Sequence, residues 1–247
     1  CKTAGIRVVM ITGDYKDTAA AIARQLGIIE DSDQVLDGTA LNRLSDEEFA
    51  EAVKTVNVYA RVSPEHKVKI VQAIKKHGNI AAMTGDGVND APALKRADIG
   101  IAMGITGTDV TKESADMIIT DDNFASIVSA VEEGRVIFSN IRKFVFFLMS
   151  CNVGEVLIIF ISMLLGWPIP LLPIHLLWVN LLTDAFPALA LGTEKMEPGL
   201  MQQKPRDPNA SIIDRSMIVS IIVQSCVMTD AILASFYIGW TSGGEEL

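Results

Sequence analysis

The fold of this chain is decided by the stretch TGDGVNDAPAL, Thr84–Leu94, which directly follows the apolar run Ile80–Met83. A short apolar run that ends in a glycine turn is typical of a buried strand. Thr12-Gly13-Asp14 ends a second such run, Ile6–Ile11, in the same way. Because ligands of parallel α/β sheets bind beyond the carboxyl ends of the strands, both Thr-Gly-Asp turns are candidate site segments.

Strands and helices alternate over residues 1–123. Helices are predicted from about Asp17 to Leu26 and, after the start signal Ser63-Pro64-Glu65, as far as Lys76. Further strands are predicted at Val56–Val62, Asp98–Met103 and Met117–Ile119. This alternation predicts right-handed βαβ units and therefore an α/β, Rossmann-like parallel sheet.

The pattern becomes helical and apolar from Phe124 onward. Between Phe144 and Thr193 the only acidic or basic residues are Glu155 and Asp184. Three segments are long and apolar enough to cross a bilayer, at about 144–167, 174–192 and 217–240. Lysine and arginine flank these spans on one side, which places the sheet domain in the cytoplasm and predicts a multi-pass membrane protein. Residues 124–143 are predicted to form a cytoplasmic stalk, within one helix that runs from Phe124 to about Leu165.

Composition excludes several classes of protein. Of the 247 residues, 49% are hydrophobic and 21% are charged, and the two groups are segregated, which excludes a purely soluble, disordered or fibrous chain. A net charge of -9 argues against a nucleic-acid partner. Three cysteines form no disulfide framework. The chain opens at Cys1 without a leader and is expected to be an internal part of a larger protein.

Three features predict phosphate chemistry in the sheet domain. Asp86 and Asp90 lie four residues apart at a strand-to-helix junction, where their hard oxygens suit Mg²⁺. Lys67 lies in a first helical turn and could neutralise a phosphoryl group. Thr12-Gly13-Asp14 offers a hydroxyl, a backbone donor and an acid. Each feature alone is more often a turn or a solvated lysine, and only their combination favours a phosphate site.

Five polar residues predict an ion site within the apolar segments. Asn152 and Glu155 share one helix face, as do Asn180, Thr183 and Asp184. A carboxylate at membrane depth usually lines a cavity or an ion path, and Ca²⁺ takes six to eight such oxygens. Pro187 has no N–H, so the carbonyl of Thr183 loses its helical partner. The alternative is an interhelical hydrogen-bond cluster with two protonated acids.

Long motifs then identify a family. TGDGVNDAPAL, together with MITGD and YARVSPEHK, resembles the phosphorylation domain of P-type cation-transporting ATPases, which belong to the haloacid-dehalogenase superfamily. CNVGE (Cys151–Glu155) and LLWVNLLTDAFPALALG (Leu176–Gly192) resemble the calcium-pump branch. The resemblance implies an ATP-driven pump, most consistent with Ca²⁺ transport coupled to formation and hydrolysis of an aspartyl phosphate. Residues 1–123 would then be the C-terminal part of the phosphorylation domain and residues 144–247 the transmembrane region.

The resemblance also assigns roles to single residues. Asp86 is similar to the Mg²⁺ ligand, Asp90 to its hydrogen-bonded companion and Lys67 to the phosphate-contacting lysine. Positions that touch nucleotide or the phosphoryl group are matched by Thr12, Gly13, Asp14, Arg61 and Asn89. Calcium ligands are matched by Asn152, Glu155, Asn180, Thr183 and Asp184. The implied cofactor is Mg²⁺, the substrate is ATP and the transported ion is Ca²⁺; the implied partners are the bilayer, which is the plasma membrane if the protein is bacterial, and the remainder of the pump.

One departure from the family limits what these residues can do alone. The phosphorylated aspartate of the family lies in an Asp-Lys-Thr-Gly-Thr motif, which does not occur in this sequence. The nucleotide-binding domain and the Thr-Gly-Glu motif of the actuator domain are also missing. We therefore expect the chain by itself to be inactive. The alternatives are a pump for Mn²⁺, H⁺ or Na⁺/K⁺, a soluble haloacid-dehalogenase-type phosphatase, and a non-catalytic membrane scaffold.

Overall fold

A computed structural model describes residues 1–30 and 35–243 of the chain. These residues divide into two units. The sheet unit comprises residues 1–30, 35–130 and 202–208, and the helical unit comprises residues 131–201 and 209–243.

The sheet unit alternates strands and helices as predicted. Its strands are β1 (Met10–Ile11), β2 (Val35–Asp37), β3 (Val58–Ala60), β4 (Ala82–Gly85), β5 (Ile99–Met103) and β6 (Met117–Ile119). Its helices are α1 (Lys16–Gln25), α2 (Gly38–Leu41), α3 (Asp46–Thr55), α4 (Pro64–Lys76), α5 (Ala91–Leu94) and α6 (Asp109–Glu113). A short 3₁₀ turn, Val88–Asp90, precedes α5.

All recorded strand pairs are parallel, and they form two three-stranded sheets. One has the order β1-β3-β2, with Met10 opposite Val58, and the other has the order β4-β5-β6, with Met83 opposite Gly100. A single sheet was expected, but β1 is only two residues long and no ladder joins it to β4 among the described residues. Apolar packing joins the sheets instead, because Ile11 contacts the buried clusters on both sides of α4.

The first strand is shorter than the sequence indicated. The segment Ile6–Val9, which precedes β1, is held by a side chain rather than by ladder hydrogen bonds. Arg7 donates to the carbonyl of Lys54 at 2.9 Å and to that of Val56 at 2.5 Å. The segment Val35–Thr55, with β2, α2 and α3, was not predicted. Ser45 and Glu48 form a capping box at the start of α3, a signal that the sequence contains.

Helix α4 has the start that Ser63-Pro64 predicted. Ser63 accepts from the N–H of His66 at 3.4 Å, and the His66 ring accepts from the N–H of Ser63 at 3.1 Å. Proline occupies the first turn, where no N–H is needed. This cap fixes where α4 begins and therefore fixes the position of Lys67, the residue after His66.

The helical unit contains most of three apolar helical segments. Helix α7 runs unbroken from Phe124 to Leu164, which confirms the predicted continuity. The second segment consists of α8 (Pro173–Trp178), a π-helix (Val179–Asp184) and α9 (Ala185–Gly192), and the third is α10 (Arg215–Ser242). All three are long and apolar enough to cross a membrane. The chain is therefore part of a membrane protein.

Small and hydroxylated residues bring α7 and α10 together. Ser225 donates to the carbonyl of Ser150 at 2.9 Å, and Thr229 donates to that of Gly154 at 3.4 Å. Asn140 of α7 is buried and donates to the carbonyl of Glu194 at 2.8 Å, just beyond the end of α9. Small side chains let helix backbones approach, and these hydrogen bonds fix the register of the helices.

Candidate functional site

The end of β4 presents two carboxylates with different surroundings. Asp86 is exposed, whereas the 3₁₀ turn carries Asp90 back under the strand end, where it is buried. The N–H of Gly87 donates to Asp90 Oδ2 at 3.4 Å. A Cβ on Gly85 would lie 2.5 Å from the Cβ of Asp90, so only glycine permits this approach. Gly85 of the motif thus allows Asp90 to fold against the strand end.

Lys67 reaches this turn from the first turn of α4. Its Nζ donates to Asp90 Oδ1 at 2.5 Å, and the side chains are only 19% and 9% exposed. The structure therefore joins two of the residues that the sequence singled out, 23 positions apart. The contact places a cation beside the loop that carries Asp86.

The turn after β1 meets the segment that follows β3. Thr12 donates through its hydroxyl to Asp14 Oδ2 at 2.8 Å, and the N–H of Arg61 donates to the carbonyl of Asp14 at 3.0 Å. Arg61 has a φ of 48°, a left-handed conformation that is uncommon for a residue with a side chain. Its guanidinium lies 4.6 Å from the centre of the exposed Tyr15 ring. Thr12, Asp14 and Arg61 thus form one exposed cluster of donors and acceptors.

Two threonines that the sequence did not single out contact the loop that carries Asp86. The N–H of Thr108 donates to the carbonyl of Asp86 at 3.0 Å, and the hydroxyl of Thr111 donates to it at 3.3 Å. The sequence contains one signal for this segment, since Thr108 precedes a polar helical turn and caps α6. The contact to Asp86 joins residues 22 and 25 positions apart and has no signal in the sequence.

The donor set at the end of β4 fits Mg²⁺. The exposed carboxylate of Asp86 is available there, whereas both oxygens of the buried Asp90 already accept from Lys67 and from the N–H of Gly87. Mg²⁺ is usually held by one or two carboxylates while waters and substrate phosphates complete its shell. Across residues 1–30 and 35–243, no group of three or more His, Cys, Asp or Glu side chains could hold a metal ion. This arrangement suits a metal that shares its shell with a substrate rather than one enclosed by protein.

In the helical unit, two of the five predicted ion-site residues contact each other and a third is buried. Asn180 donates to Glu155 Oε2 at 2.9 Å, and Asp184 is 4% exposed. Glu155 Oε1 and Asp184 Oδ2 are both buried and accept no hydrogen bond from any described residue. The thiol of Cys151 lies beside both acids. Buried carboxylate oxygens without donors are electrostatically costly unless a proton or a cation accompanies them.

Asn152 and Thr183 lie differently. Both are exposed, and Asn152 donates within its own helix to the carbonyl of Leu148 at 2.7 Å. The backbone of Val179–Asp184 is π-helical rather than α-helical, just where Pro187 removes the donor for the carbonyl of Thr183. The prediction that Thr183 and Asp184 lie on one helix face assumed regular α-helical spacing. In the π-helix Thr183 is exposed, whereas Asp184 is buried.

Comparisons with known proteins agree with both halves of this description. Residues 1–98 match the family of haloacid dehalogenase-like hydrolases, and residues 168–247 match the family described as cation transporting ATPase, C-terminus. Calcium-transporting ATPase 1 of Bacillus cereus is 59% identical over 217 residues, which cover 88% of this chain and 24% of that protein. The calcium-transporting ATPase of Bacillus subtilis is 50% identical over 247 residues, covering 100% of this chain and 28% of that protein.

A fungal relative extends the comparison. The endoplasmic reticulum calcium ATPase of Aspergillus fumigatus is 50% identical over 217 residues, which cover 86% of this chain and 22% of that protein. The parallel-sheet unit has the haloacid-dehalogenase type of fold, and apolar helices follow it. The chain belongs to the P-type cation-transporting ATPases. It spans about a quarter of the length of the relatives it matches.

Proposed function

We propose that this chain is part of an ATP-driven pump that transports Ca²⁺ and forms and hydrolyses an aspartyl phosphate. The observation that carries the proposal is the pair of buried carboxylate oxygens, Glu155 Oε1 and Asp184 Oδ2, which have no donor among the described residues. The names of the relatives support calcium as the transported ion. They do not favour the soluble phosphatase, which would also leave the three apolar helices without a purpose.

The free-energy cost of placing two carboxylates in membrane helices supports a bound cation. A carboxylate at the centre of a membrane helix is penalised by about 3 kcal/mol on insertion scales. Glu155, which accepts from Asn180, and the buried Asp184 would offset that cost by binding a cation together. Flexible oxygen ligands favour Ca²⁺ over Mg²⁺, which requires a tighter octahedron. Asn152 and Thr183 are proposed to contribute further oxygens.

Phosphoryl chemistry is assigned to the sheet unit. Mg²⁺, held by Asp86 with Asp90 as its companion, would neutralise charge on the phosphoryl group. Lys67, fixed by Asp90 at 2.5 Å, supplies a second positive charge at the same turn. Next to Thr12 and Asp14, whose side chains bond to each other, the exposed guanidinium of Arg61 offers donors to nucleotide phosphates, together with Gly13 and Asn89.

The proposal includes an arrangement in the membrane. Residues 1–123 form the C-terminal part of a cytoplasmic phosphorylation domain, residues 124–143 a stalk, and residues 144–247 a multi-pass transmembrane region. The three apolar helices and the lysines and arginines that flank them support this arrangement. ATP, lipid and the remainder of the pump are then its partners.

The test uses an intact pump that contains this chain, with Glu155→Gln and Asp184→Asn. Each variant is assayed for Ca²⁺-dependent phosphorylation from ATP and for phosphorylation from inorganic phosphate. Asp230→Asn is the matched control, because Asp230 is an exposed carboxylate in the apolar helix α10. We expect the first two variants to lose the reaction with ATP and to keep the reaction with phosphate, since Asp86 and Lys67 are unchanged.

The control variant should keep both reactions. Normal Ca²⁺ activation in both Glu155→Gln and Asp184→Asn would mean that these acids are structural and that the proposed ion site is wrong. Loss of both phosphorylation reactions in either variant would mean that the substitution damages the sheet unit as well, which the proposal does not predict.

A further inference from the structure

The carbonyl of Asp86 is held by two donors from one short helix. The N–H of Thr108 lies 3.0 Å from this oxygen, and the hydroxyl of Thr111 lies 3.3 Å from it. Thr108 is the N-cap of α6, and Thr111 is 0% exposed. A buried hydroxyl aimed at the backbone of a proposed metal ligand is a specific arrangement, because a buried threonine could equally have bonded within its own helix.

The directions of the hydrogen bonds follow from the number of protons. Thr111 has one hydroxyl proton, which it donates to the carbonyl of Asp86. Either hydroxyl could donate in the 2.6 Å contact between the two threonines, and in the arrangement where Thr111 donates to Asp86 this contact uses the proton of Thr108. Thr108 Oγ1 in turn accepts from the N–H of Thr111 at 3.3 Å. Each hydroxyl orients the other, so the donor to Asp86 is fixed before any ligand arrives.

The segment that leads into Thr108 is itself anchored. Asp122 accepts from the N–H of Ile105 at 3.0 Å and from the N–H and hydroxyl of Thr106 at 2.7 and 2.8 Å. A Cβ on Gly107 would lie 2.0 Å from the carbonyl oxygen of Met103, so the chain turns there only with glycine. The loop after β5 is thus bonded to Asp122 and makes a close turn at Gly107 before it reaches Thr108.

We propose that Thr111 is a positioning residue for Asp86. Its hydroxyl fixes the orientation of the Asp86 peptide group and thereby the direction in which the exposed carboxylate leaves the backbone. The inference rests on the proposed function, in which that carboxylate binds Mg²⁺ during phosphoryl transfer. Groups that orient a metal ligand commonly change metal affinity about 10–100-fold when they are removed.

The test compares Thr111→Val, which keeps the shape and removes the hydroxyl, with Thr111→Ser, which restores it. The measurement is the Mg²⁺ concentration that gives half-maximal phosphorylation of the intact pump by inorganic phosphate. Ser114→Ala is the matched control, since the Ser114 hydroxyl donates at 2.7 Å to the carbonyl of Val110 in the same helix and does not contact Asp86. Activation by Ca²⁺ is measured on each variant as a readout that Asp86 should not affect.

We expect Thr111→Val to raise the half-maximal Mg²⁺ concentration about tenfold, whereas Thr111→Ser and Ser114→Ala stay near the wild-type value. The Ca²⁺ dependence should not change in any of them. Equal Mg²⁺ dependence in Thr111→Val and Ser114→Ala would overturn the inference. If Thr111→Val does not fold, Thr108→Val removes the hydroxyl that orients Thr111 and should shift the Mg²⁺ dependence in the same direction, and no shift would overturn the inference.

Asp86→Asn separates this inference from the function on which it rests. If this variant keeps the wild-type Mg²⁺ dependence, the proposed role of Asp86 is wrong, and the role of Thr111 is wrong with it. If Asp86→Asn loses phosphorylation while Thr111→Val behaves as wild type, the proposed function stands and only the positioning role of Thr111 fails.

Discussion

Lys67 Nζ lies 2.5 Å from Asp90 Oδ1, and this ion pair joins the first turn of α4 to the turn that follows β4. Asp90 is 6% exposed, so its carboxylate depends on Lys67 and on the N–H of Gly87 for compensation. Removing one partner of a buried pair leaves an uncompensated charge, whereas removing both does not. The pair is therefore expected to matter for folding as well as for chemistry.

Lys67→Met should destabilise the sheet unit by about 3 kcal/mol, because the Asp90 carboxylate then lacks its cation. Lys67→Met combined with Asp90→Asn should recover much of that loss. The measurement is the free energy of unfolding from hydrogen exchange of amides in the sheet unit, with the chain in detergent. A double variant as unstable as Lys67→Met alone would contradict the account.

The Lys75–Asp98 pair is the matched control. Its atoms are 2.9 Å apart, and its side chains are 34% and 27% exposed. Asp98 also accepts from the N–H of Ala81 at 2.9 Å, so its carboxylate keeps a donor when the lysine is removed. Lys75→Met should therefore cost less than about 1 kcal/mol. If Lys75→Met lowers the free energy of unfolding as much as Lys67→Met does, burial does not determine what the loss of an ion pair costs.

Tyr59 is fully buried in β3, and its hydroxyl has no hydrogen-bond partner among the residues that the structure describes. Burial raises the pKa of Tyr59 to about 12. Tyr59→Phe removes an unsatisfied polar group and should leave the sheet unit equally stable or up to about 1 kcal/mol more stable. A loss of more than about 1 kcal/mol would imply that the hydroxyl has a stabilising partner.

The raised pKa of Tyr59 also predicts a pH dependence. The pKa of Tyr59 in the folded state lies above the ordinary value of 10. Titration of Tyr59 therefore leaves the free energy of unfolding unchanged below about pH 10 and lowers it as the pH rises towards 12. Tyr59→Phe should remove this alkaline loss. Hydrogen exchange is too fast in this range, so the test is alkaline unfolding followed by circular dichroism. Identical alkaline transitions in the two proteins would contradict the expectation.

Asp122 predicts the opposite pH dependence. Hydrogen bonds from the backbone of Ile105 and from Thr106 outweigh the cost of its burial and lower its pKa from 3.8 to about 2. A depressed pKa contributes stability above the unfolded value, and that stability is lost as the pH falls from about 4 to 2. The difference in free energy of unfolding between the wild type and Asp122→Ala should therefore become smaller as the pH falls from about 4 to 2. A difference that stays constant from pH 5 to 2 would contradict the assignment.

A polypeptide consisting of these 247 residues should form no acid-stable phosphoenzyme from ATP. The sequence has no Asp-Lys-Thr-Gly-Thr motif, and Asp86 cannot act as the nucleophile while it binds a metal. The measurement is radiolabel from ATP retained by the purified chain in acid. A labelled band, lost in Asp86→Asn, would show that Asp86 itself is phosphorylated and that its assignment as metal ligand is wrong.

Local patterns predicted the parts of the fold that depend on local rules. The Thr-Gly-Asp turns end strands β1 and β4, Ser63-Pro64 starts α4, and the uninterrupted helical pattern after Phe124 gives one helix to Leu164. The sequence placed Lys67 and Asp90 at one predicted phosphate site near the carboxyl ends of parallel strands, but it did not predict the ion pair between them.

Other features depend on contacts between distant residues. The two-sheet arrangement reflects the lack of a ladder between β1 and β4 among the described residues, which the apolar run Ile6–Ile11 does not indicate. The bond from Thr111 to Asp86 and the left-handed backbone of Arg61 have no local sequence signature. In the helical unit, the sequence indicated a disturbance near Thr183 but not that the backbone would become π-helical.

Equilibrium binding of radiolabelled Ca²⁺ to the intact pump tests the central claim most directly. Asp184→Asn and Asp230→Asn remove one carboxylate each from apolar helical segments, but Asp184 is buried whereas Asp230 is exposed. The account predicts that Asp184→Asn loses high-affinity Ca²⁺ binding while Asp230→Asn binds as the wild type does. Wild-type Ca²⁺ binding by Asp184→Asn would contradict it.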